Sequence, residues 1–372
     1  MTLKLSTKTI GIDINEANVG NRVGTGQYTY HILKRLKELA PQTDFHLYHR
    51  DPIVADMPTE GANWHYHHVG PARAWLRLGL PLNLFLNRAQ YHSFWSPAHY
   101  APSYAGSPSV VTIHDLAYEY FPDLFLKSDL YKLKNWTRTA VKAAARVIAV
   151  SQATKDDLVK LYGTDPNKIT VIHNGYDSDI FNTKTKIKSS HLDNFNLVPF
   201  NYLLFLGTIQ PRKNAIKLVQ AFRLLKEKGY KGKLVLAGKI GWMSEESLQV
   251  IKNSQDARDI VMTGYVSDET RLALYRGADV YVLPSLYEGF GVPAIEAMGC
   301  GAPVAVANNS SLPEVVGTAG VLFDERDPAD IARAIMELKN DRDAWSKKSL
   351  KRAKHFSWDK CAEETLGVLT SV

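Results

Sequence analysis

Cysteine is nearly absent. Cys300 and Cys361 are the two in 372 residues, too few and too far apart for a disulfide framework or a paired-cysteine zinc pattern. That usage fits a reducing compartment. No stretch approaches the roughly 20 apolar residues that span a bilayer, and the start, Met1-Thr-Leu-Lys-Leu-Ser6, lacks the apolar centre of a secretory signal. The expectation is a cytoplasmic protein. Acidic residues are the minority, 38 against 45 Lys and Arg, giving a formal charge of +7. The excess favours anionic partners such as phosphates, acidic lipid surfaces or nucleic acid without choosing among them. Nucleic acid is disfavoured, because the chain lacks an aromatic-basic single-strand motif and a groove-reading helix. A dinucleotide dehydrogenase is disfavoured too: no strand runs at once into Gly-x-Gly-x-x-Gly with an acidic residue about 20 positions on.

What is present is rhythm. Short β-branched or apolar runs alternate with helical stretches, the pattern of parallel sheets covered on both faces. Strands are read at 9–14, 44–49, 64–69, 91–95, 109–113, 147–150 and 169–172, then at 202–206, 233–236, 260–263, 280–283, 303–307 and 321–323. Thirteen are too many for one such sheet, so two Rossmann-like domains are expected. The polar stretch Asp177 to Asn201 reads as the linker. The boundaries become 1–180 for the N-terminal domain and 181–356 for the C-terminal one. A helix over 357–372, with Trp358, Cys361, Ala362, Leu366 and Leu369 at helical spacing, completes the first domain.

The most informative segment is Leu283-Pro-Ser-Leu-Tyr-Glu-Gly-Phe-Gly-Val-Pro-Ala-Ile-Glu-Ala297. A strand ends near Pro284, a turn with Gly289, Phe290 and Gly291 follows, and Pro293 stands where the first helical turn prefers it. Free amides at a helix start and the helix dipole favour a phosphate. Glu288 in the turn and Glu296, read in the first helical turn, add two acceptor-only carboxylates suited to diols. Upstream, Phe205-Leu-Gly-Thr-Ile-Gln-Pro-Arg-Lys-Asn214 delivers Arg212 and Lys213 at the carboxyl end of a strand. There a fork and a point charge would hold a diphosphate and stabilise its departure without a metal.

These motifs resemble glycosyltransferase family 4, retaining enzymes of the GT-B fold, over nearly the whole chain. Glu288 and Glu296 match the family's paired glutamates in the context Glu-Gly-Phe-Gly-x-Pro-x-x-Glu-Ala. The resemblance implies two Rossmann-like domains facing each other across a cleft, with the C-terminal helix crossing back to the first. It implies that Glu288 contacts the transferred sugar and Glu296 the ribose. Gly207-Thr-Ile-Gln-Pro-Arg-Lys-Asn214 matches the donor-phosphate loop, though Thr208 stands where many members carry Arg. Thr263-Gly-Tyr-Val-Ser-Asp268 resembles the base-binding turn, which puts Tyr265 and Val266 by the nucleobase, while the Gly291 to Val292 amides join Arg212 and Lys213 in holding the charge of the leaving phosphate. Gly24, Thr25 and Gly26 resemble the N-terminal glycine loop, near the donor phosphates or the acceptor. His114, beside Asp115 at a strand end, takes the place of a histidine that approaches the donor sugar. His173, in the Ile-His-Asn-Gly turn, reads as structural.

The catalytic set is therefore Glu288, His114, Arg212 and Lys213, with no metal and no cofactor beyond a nucleotide diphosphate sugar as co-substrate. Same-face substitution is the expected route to retention, because no motif supplies a nucleophilic carboxylate, and closure about the linker is expected to exclude water. The loop variant Pro-Arg-Lys-Asn most resembles bacterial mannosyl- or rhamnosyltransferases of surface polysaccharides. GDP-mannose is the first donor expectation, with UDP-sugars and dTDP-rhamnose as alternatives, and the acceptor is expected to be a glycan or a lipid-linked one. Arg73-Ala-Trp-Leu-Arg-Leu-Gly-Leu-Pro-Leu-Asn-Leu-Phe-Leu-Asn-Arg88 reads equally as a peripheral contact with an acidic membrane, through Arg73, Arg77 and Arg88, or as a core helix interrupted at Gly79 and Pro81. A sugar-nucleotide epimerase and a non-catalytic nucleotide-sugar sensor remain alternative readings of the same phosphate site.

Overall fold

A computed structural model describes residues 8–70 and 73–372; the opening hexapeptide read above for a signal lies outside the described residues. Among the described residues thirteen strands form two sheets in which every pairing is parallel. The chain divides into two compact units. One holds the residues up to Gly175 together with Trp358–Val372, and the other is Tyr176–Ser357.

The first unit carries β1 (Thr9–Asp13), β2 (Asp44–His49), β3 (Trp64–His68), β4 (Ser93–Ser96), β5 (Ser109–Ile113), β6 (Arg146–Ala149) and β7 (Ile169–Val171), in the order β3-β2-β1-β4-β5-β6-β7. The second carries β8 (Tyr202–Leu206), β9 (Lys233–Ala237), β10 (Ile260–Gly264), β11 (Val280–Leu283), β12 (Val304–Ala307) and β13 (Gly320–Phe323), in the order β10-β9-β8-β11-β12-β13. Central strands such as Val-Tyr-Val-Leu in β11 and Val-Ala-Val-Ala in β12 are buried at every position, because helices cover both faces of a parallel sheet. In each sheet the order of strand addition reverses once, between β1 and β4 and between β8 and β11. Ligands bind at the carboxyl ends of strands at such switch points.

Two expectations need correction. The stretch 177–201 is no free tether: Phe181, Leu192 and Leu197 are buried in the core of the second unit, and a short helix, Ser190–Asp193, packs on the helix Asp268–Gly277. Its apolar residues are spaced so widely among polar ones that composition hides them. The boundary accordingly falls at Gly175/Tyr176. Nor is the segment 73–88 interrupted. A π-helical turn, Trp75–Gly79, runs directly into the helix Leu80–Leu86; Pro81 gives no amide to that junction, and Ser103 donates instead to the carbonyls of Leu76 at 3.4 Å and Arg77 at 3.2 Å.

The closing helix spans Trp358–Thr370 and packs along the helix Thr25–Leu39. Trp358 meets Tyr28 edge-on at 6.1 Å and stacks on His31 at 5.0 Å. Arg35 pairs with Asp359 at 2.5 Å, and the hydroxyl of Ser93 donates to the carbonyl of Leu369 at 2.8 Å.

Candidate active site

The strongest convergence of charge lies where β8 and β11 part. β8 is followed by Gly207-Thr-Ile-Gln, and a 3-10 turn, Pro211–Lys213, presents both cations before the helix Ala215–Glu227 begins. Asn214 makes that junction. Its backbone is left-handed, φ 58°, a conformation Asn tolerates, and its side-chain amide donates to the carbonyls of Pro284 at 3.0 Å and Glu325 at 2.8 Å. The cationic turn is thereby stitched to the loop after β11.

That loop carries Glu288, which the structure buries against both cations. Lys213 donates a short hydrogen bond to Oε1, Arg212 lies 3.5 Å from Oε2, and Ser285 donates to Oε1 at 2.6 Å. Burial opposes the carboxylate's charge, but Lys213, Arg212 and the hydrogen bonds outweigh it and hold the pKa below the usual glutamate range. The backbone is held just as firmly. Glu288 N–H donates to Ser310 Oγ at 2.9 Å, and Ser311 donates to the Glu288 carbonyl at 2.9 Å. Arg212 also donates to the carbonyl of Tyr287 at 2.5 Å.

Beyond Gly289 and Phe290, Gly291 starts the helix Val292–Gly299 with φ 93°. A Cβ there would stand 2.8 Å from Leu312, so this position admits glycine on both counts. Glu296 is the fifth residue of that helix, in its second turn rather than its first, and is buried. Its Oε2 accepts from Arg271 at 2.5 Å and from the Tyr275 hydroxyl at 2.8 Å, which leaves Oε1 to accept from a diol. Both glutamates act on one buried group: after burial itself, Glu288 and then Glu296 push the Tyr281 phenol well up.

The glycines at three neighbouring strand ends close the floor. Gly207 N–H donates to Ala237 O at 2.9 Å and Gly238 N–H to Gly264 O at 2.9 Å. Gly238, at φ 139°, has no room for a Cβ against the carbonyl of Gly207. Thr208 packs close to Gly241, where a Cβ would lie 2.6 Å from its methyl. Tyr265 is two-thirds exposed with Lys239 5.0 Å over its ring, while Val266 is buried.

In the first unit His114 directly follows β5 and is partly buried. Burial, aided by His99, lowers its pKa to about 4, and Nε2 lies 2.8 Å from the carbonyl of Pro97. The ring is therefore neutral at pH 7 and donates from Nε2, leaving Nδ1 as an acceptor. Gly24 has φ 47° and opens the helix at Thr25. Gly26 passes so near the Glu16 carbonyl that a Cβ would meet it at 2.6 Å, and Thr25 donates to Glu16 at 3.0 Å.

At this unit's own switch point is a cavity of about 280 Å³ that sequence reasoning missed. Asp13, Asn15 and Glu16 line it from the end of β1, Arg50 from β2, Trp75 and Arg77 from the π-helical turn, and Tyr100, Lys132 and Trp136 from beyond β4. Asp13 accepts from Asn15 N–H at 3.1 Å and from its side chain at 2.7 Å, yet burial prevails and lifts its pKa to about 6. Arg77 lies 4.5 Å over Trp136, so it belongs to this cavity rather than to the surface arginines. Its signal was the position of Asp13 and Asn15 at the end of the first strand, where the order of the sheet, not the motif, marks a site.

The model of Glycosyltransferase Family 4 matches residues 24–180, and that of Glycosyl transferases group 1 matches 193–355. The chain is 29% identical over 363 residues to O-antigen chain mannosyltransferase B of Escherichia coli, covering 92% of this chain and 94% of that one. It is 30% identical to a D-inositol 3-phosphate glycosyltransferase of Paenarthrobacter aurescens, over 70% of this chain and 66% of that one. Among solved structures, sucrose-phosphate synthase of Thermosynechococcus elongatus superposes with a TM-score of 0.76 at 18% identity, covering 97% and 98%. WaaG, a glycosyltransferase involved in lipopolysaccharide biosynthesis, does so at 0.71 and 15%, covering 98% and 100%.

Proposed function

Because the chain belongs to glycosyltransferase family 4 and has the GT-B fold, we propose that it is a retaining mannosyltransferase. It would carry mannose from GDP-mannose to a glycan or lipid-linked acceptor in polysaccharide synthesis. The observation that carries the reading is Glu288 held between Lys213 and Arg212 at the β8/β11 switch point. The sugar assignment draws on the O-antigen mannosyltransferase relative.

In this reading the two cations, in excess over one carboxylate, receive the diphosphate beside the amides of Gly291 and Val292. Glu288 accepts from sugar hydroxyls and Glu296 Oε1 from the ribose diol. Val266 and Tyr265 flank the base. The anomeric carbon–oxygen bond to the β-phosphate breaks while the acceptor oxygen bonds on the same face. The acceptor proton passes to the leaving phosphate oxygen, whose charge Arg212 and Lys213 hold. Those cations supply the charge stabilisation without a metal.

The first-unit cavity suits the acceptor. Trp136 and Tyr100 offer flat apolar faces to a sugar, Asp13 accepts from its hydroxyl, and Arg50 and Lys132 meet an anionic group such as a lipid-linked diphosphate. A membrane contact fits alongside. Leu80 and Leu84 of the helix after Gly79 are buried, while Leu78, Leu82, Phe85 and Leu86 are each more than half exposed, beside exposed Arg73 and Arg88. No helix among the described residues is long and apolar enough to cross a membrane.

The test is a donor screen with GDP-mannose, UDP-glucose, UDP-N-acetylglucosamine and dTDP-rhamnose, comparing wild type with Glu288→Ala and Lys213→Ala. Acceptor-dependent GDP release from GDP-mannose, lost in both variants, supports the reading. Release from another donor replaces the sugar. Turnover of a single nucleotide sugar without acceptor favours an epimerase, and binding without turnover a sensor.

A further inference from the structure

The edge of the first sheet carries an unusual donor set at the amino-terminal halves of β2 and β3, away from the carboxyl ends where the cavity opens. β3 reads Trp-His-Tyr-His-His. The parallel register sets His46 opposite His65 and Tyr48 opposite His67. Strand alternation then puts Asp44, His46, His65 and His67 on one face.

Asp44 stands between two imidazoles. Its Oδ1 is 2.7 Å from His65 Nε2 and its Oδ2 is 3.5 Å from His46 Nε2. One ligand atom from each of the three lies within 4.8 Å of the others. A tetrahedral ion with bonds near 2.0–2.1 Å sets its ligand atoms about 3.3 Å apart, so rotations of the side chains suffice to close the set. The other nitrogen of His46, Nδ1, is 2.8 Å from His67 Nε2, with the ring planes only 11° apart and the centroids 5.0 Å apart. The two rings therefore meet edge to edge in one plane. Metal-bound histidines are oriented through such a bond on the distal nitrogen.

We propose that Asp44, His46 and His65 bind one zinc-class divalent cation, with His67 as the partner that orients His46. Two imidazoles and a carboxylate suit zinc and its neighbours rather than calcium or magnesium. The three side chains are 24 to 38% exposed, so water completes the coordination. The ion clips edge strand β3 to β2, and neither the sugar-transfer reading nor its residues enter the argument.

The experiment is a cobalt titration of the full chain after dialysis against chelator, read by visible absorption, followed by displacement with zinc and by melting with and without zinc. The expected result is a tetrahedral cobalt band saturating at one ion per chain, reversed by zinc, and a higher Tm with zinc. Asp44→Ala and His65→Gln each abolish the band; His65→Gln keeps a hydrogen-bonding group beside Asp44, and circular dichroism confirms that it is folded. His67→Phe weakens binding by about 10- to 100-fold, and His355→Ala, an exposed control, changes nothing. No saturable band in the wild type, or a band undiminished in folded His65→Gln, overturns the proposal.

Discussion

Replacing Glu288 with Gln removes one negative charge from a site that holds two cations, with little change of shape. The side chains of Glu288, Lys213 and Arg212 are only 10, 14 and 15% exposed, so water cannot make up for the lost carboxylate charge. Breaking a buried pair from one side costs about 3–5 kcal/mol. The Gln oxygen still accepts from Lys213 and Ser285, which argues for the low end, about 3 kcal/mol. For a unit of this size each kcal/mol moves Tm by about 2–4 °C, so the second unit of Glu288→Gln melts roughly 6–12 °C early. A nucleotide diphosphate brings back the missing negative charge and therefore raises the Tm of the variant by more than that of wild type. Calorimetry with and without GDP reads both effects. A variant melting within a degree of wild type, or gaining no more from GDP, refutes the account of Glu288 as the counter-ion that phosphate replaces.

Gly291→Ala places a side chain at φ 93° against Leu312; strain of about 1–3 kcal/mol lowers Tm, and a raised KM for the donor is the kinetic signature. Asp13→Asn tests the partly buried carboxyl at the end of β1. Because its folded pKa is raised to about 6 from 3.8, ionisation penalises the folded state above about pH 6, and the penalty fades as pH falls toward 4. The variant should gain Tm at pH 7.5 and nothing at pH 4, as melting curves across that range will record. His114 works in the opposite sense: with a folded pKa near 4, its contribution to stability is lost as pH falls from about 6.5, and His114→Gln flattens that part of the profile. The double variant Leu82→Ser, Phe85→Ser should abolish flotation with anionic liposomes and leave the melting temperature unchanged; retained flotation removes that face from the membrane reading.

The strands were legible because parallel sheets demand unbroken apolar runs, and Tyr202–Leu206 or Val280–Leu283 have few other uses. The charge cluster was legible because Arg212, Lys213, Glu288 and Gly291 occur in short contiguous motifs. What escaped is carried by residues far apart in sequence. Ser310 and Ser311 grip the backbone of Glu288 from the loop after β12, yet Asn-Asn-Ser-Ser looks like any turn. Asn214 locks two loops through a single amide. The first-unit cavity draws on Asp13, Arg50, Arg77 and Trp136, a set assembled only once the strand order is known. The stretch 177–201 failed for the reverse reason: its composition is that of a tether, and three buried side chains decide otherwise.

The return of the closing helix to the first unit has a consequence for how the chain is made. The first unit is interrupted in sequence by the whole of the second, so a ribosome completes Tyr176–Ser357 before it reaches Trp358. At about 5–20 residues per second, the 197 residues that follow Gly175 take roughly 10–40 s. Throughout that interval the helix Thr25–Leu39 and the start of β4 lack the surface that Trp358, Cys361 and Leu369 cover in the finished molecule. The second unit can fold the moment it emerges, and the first, though begun earlier, is finished last.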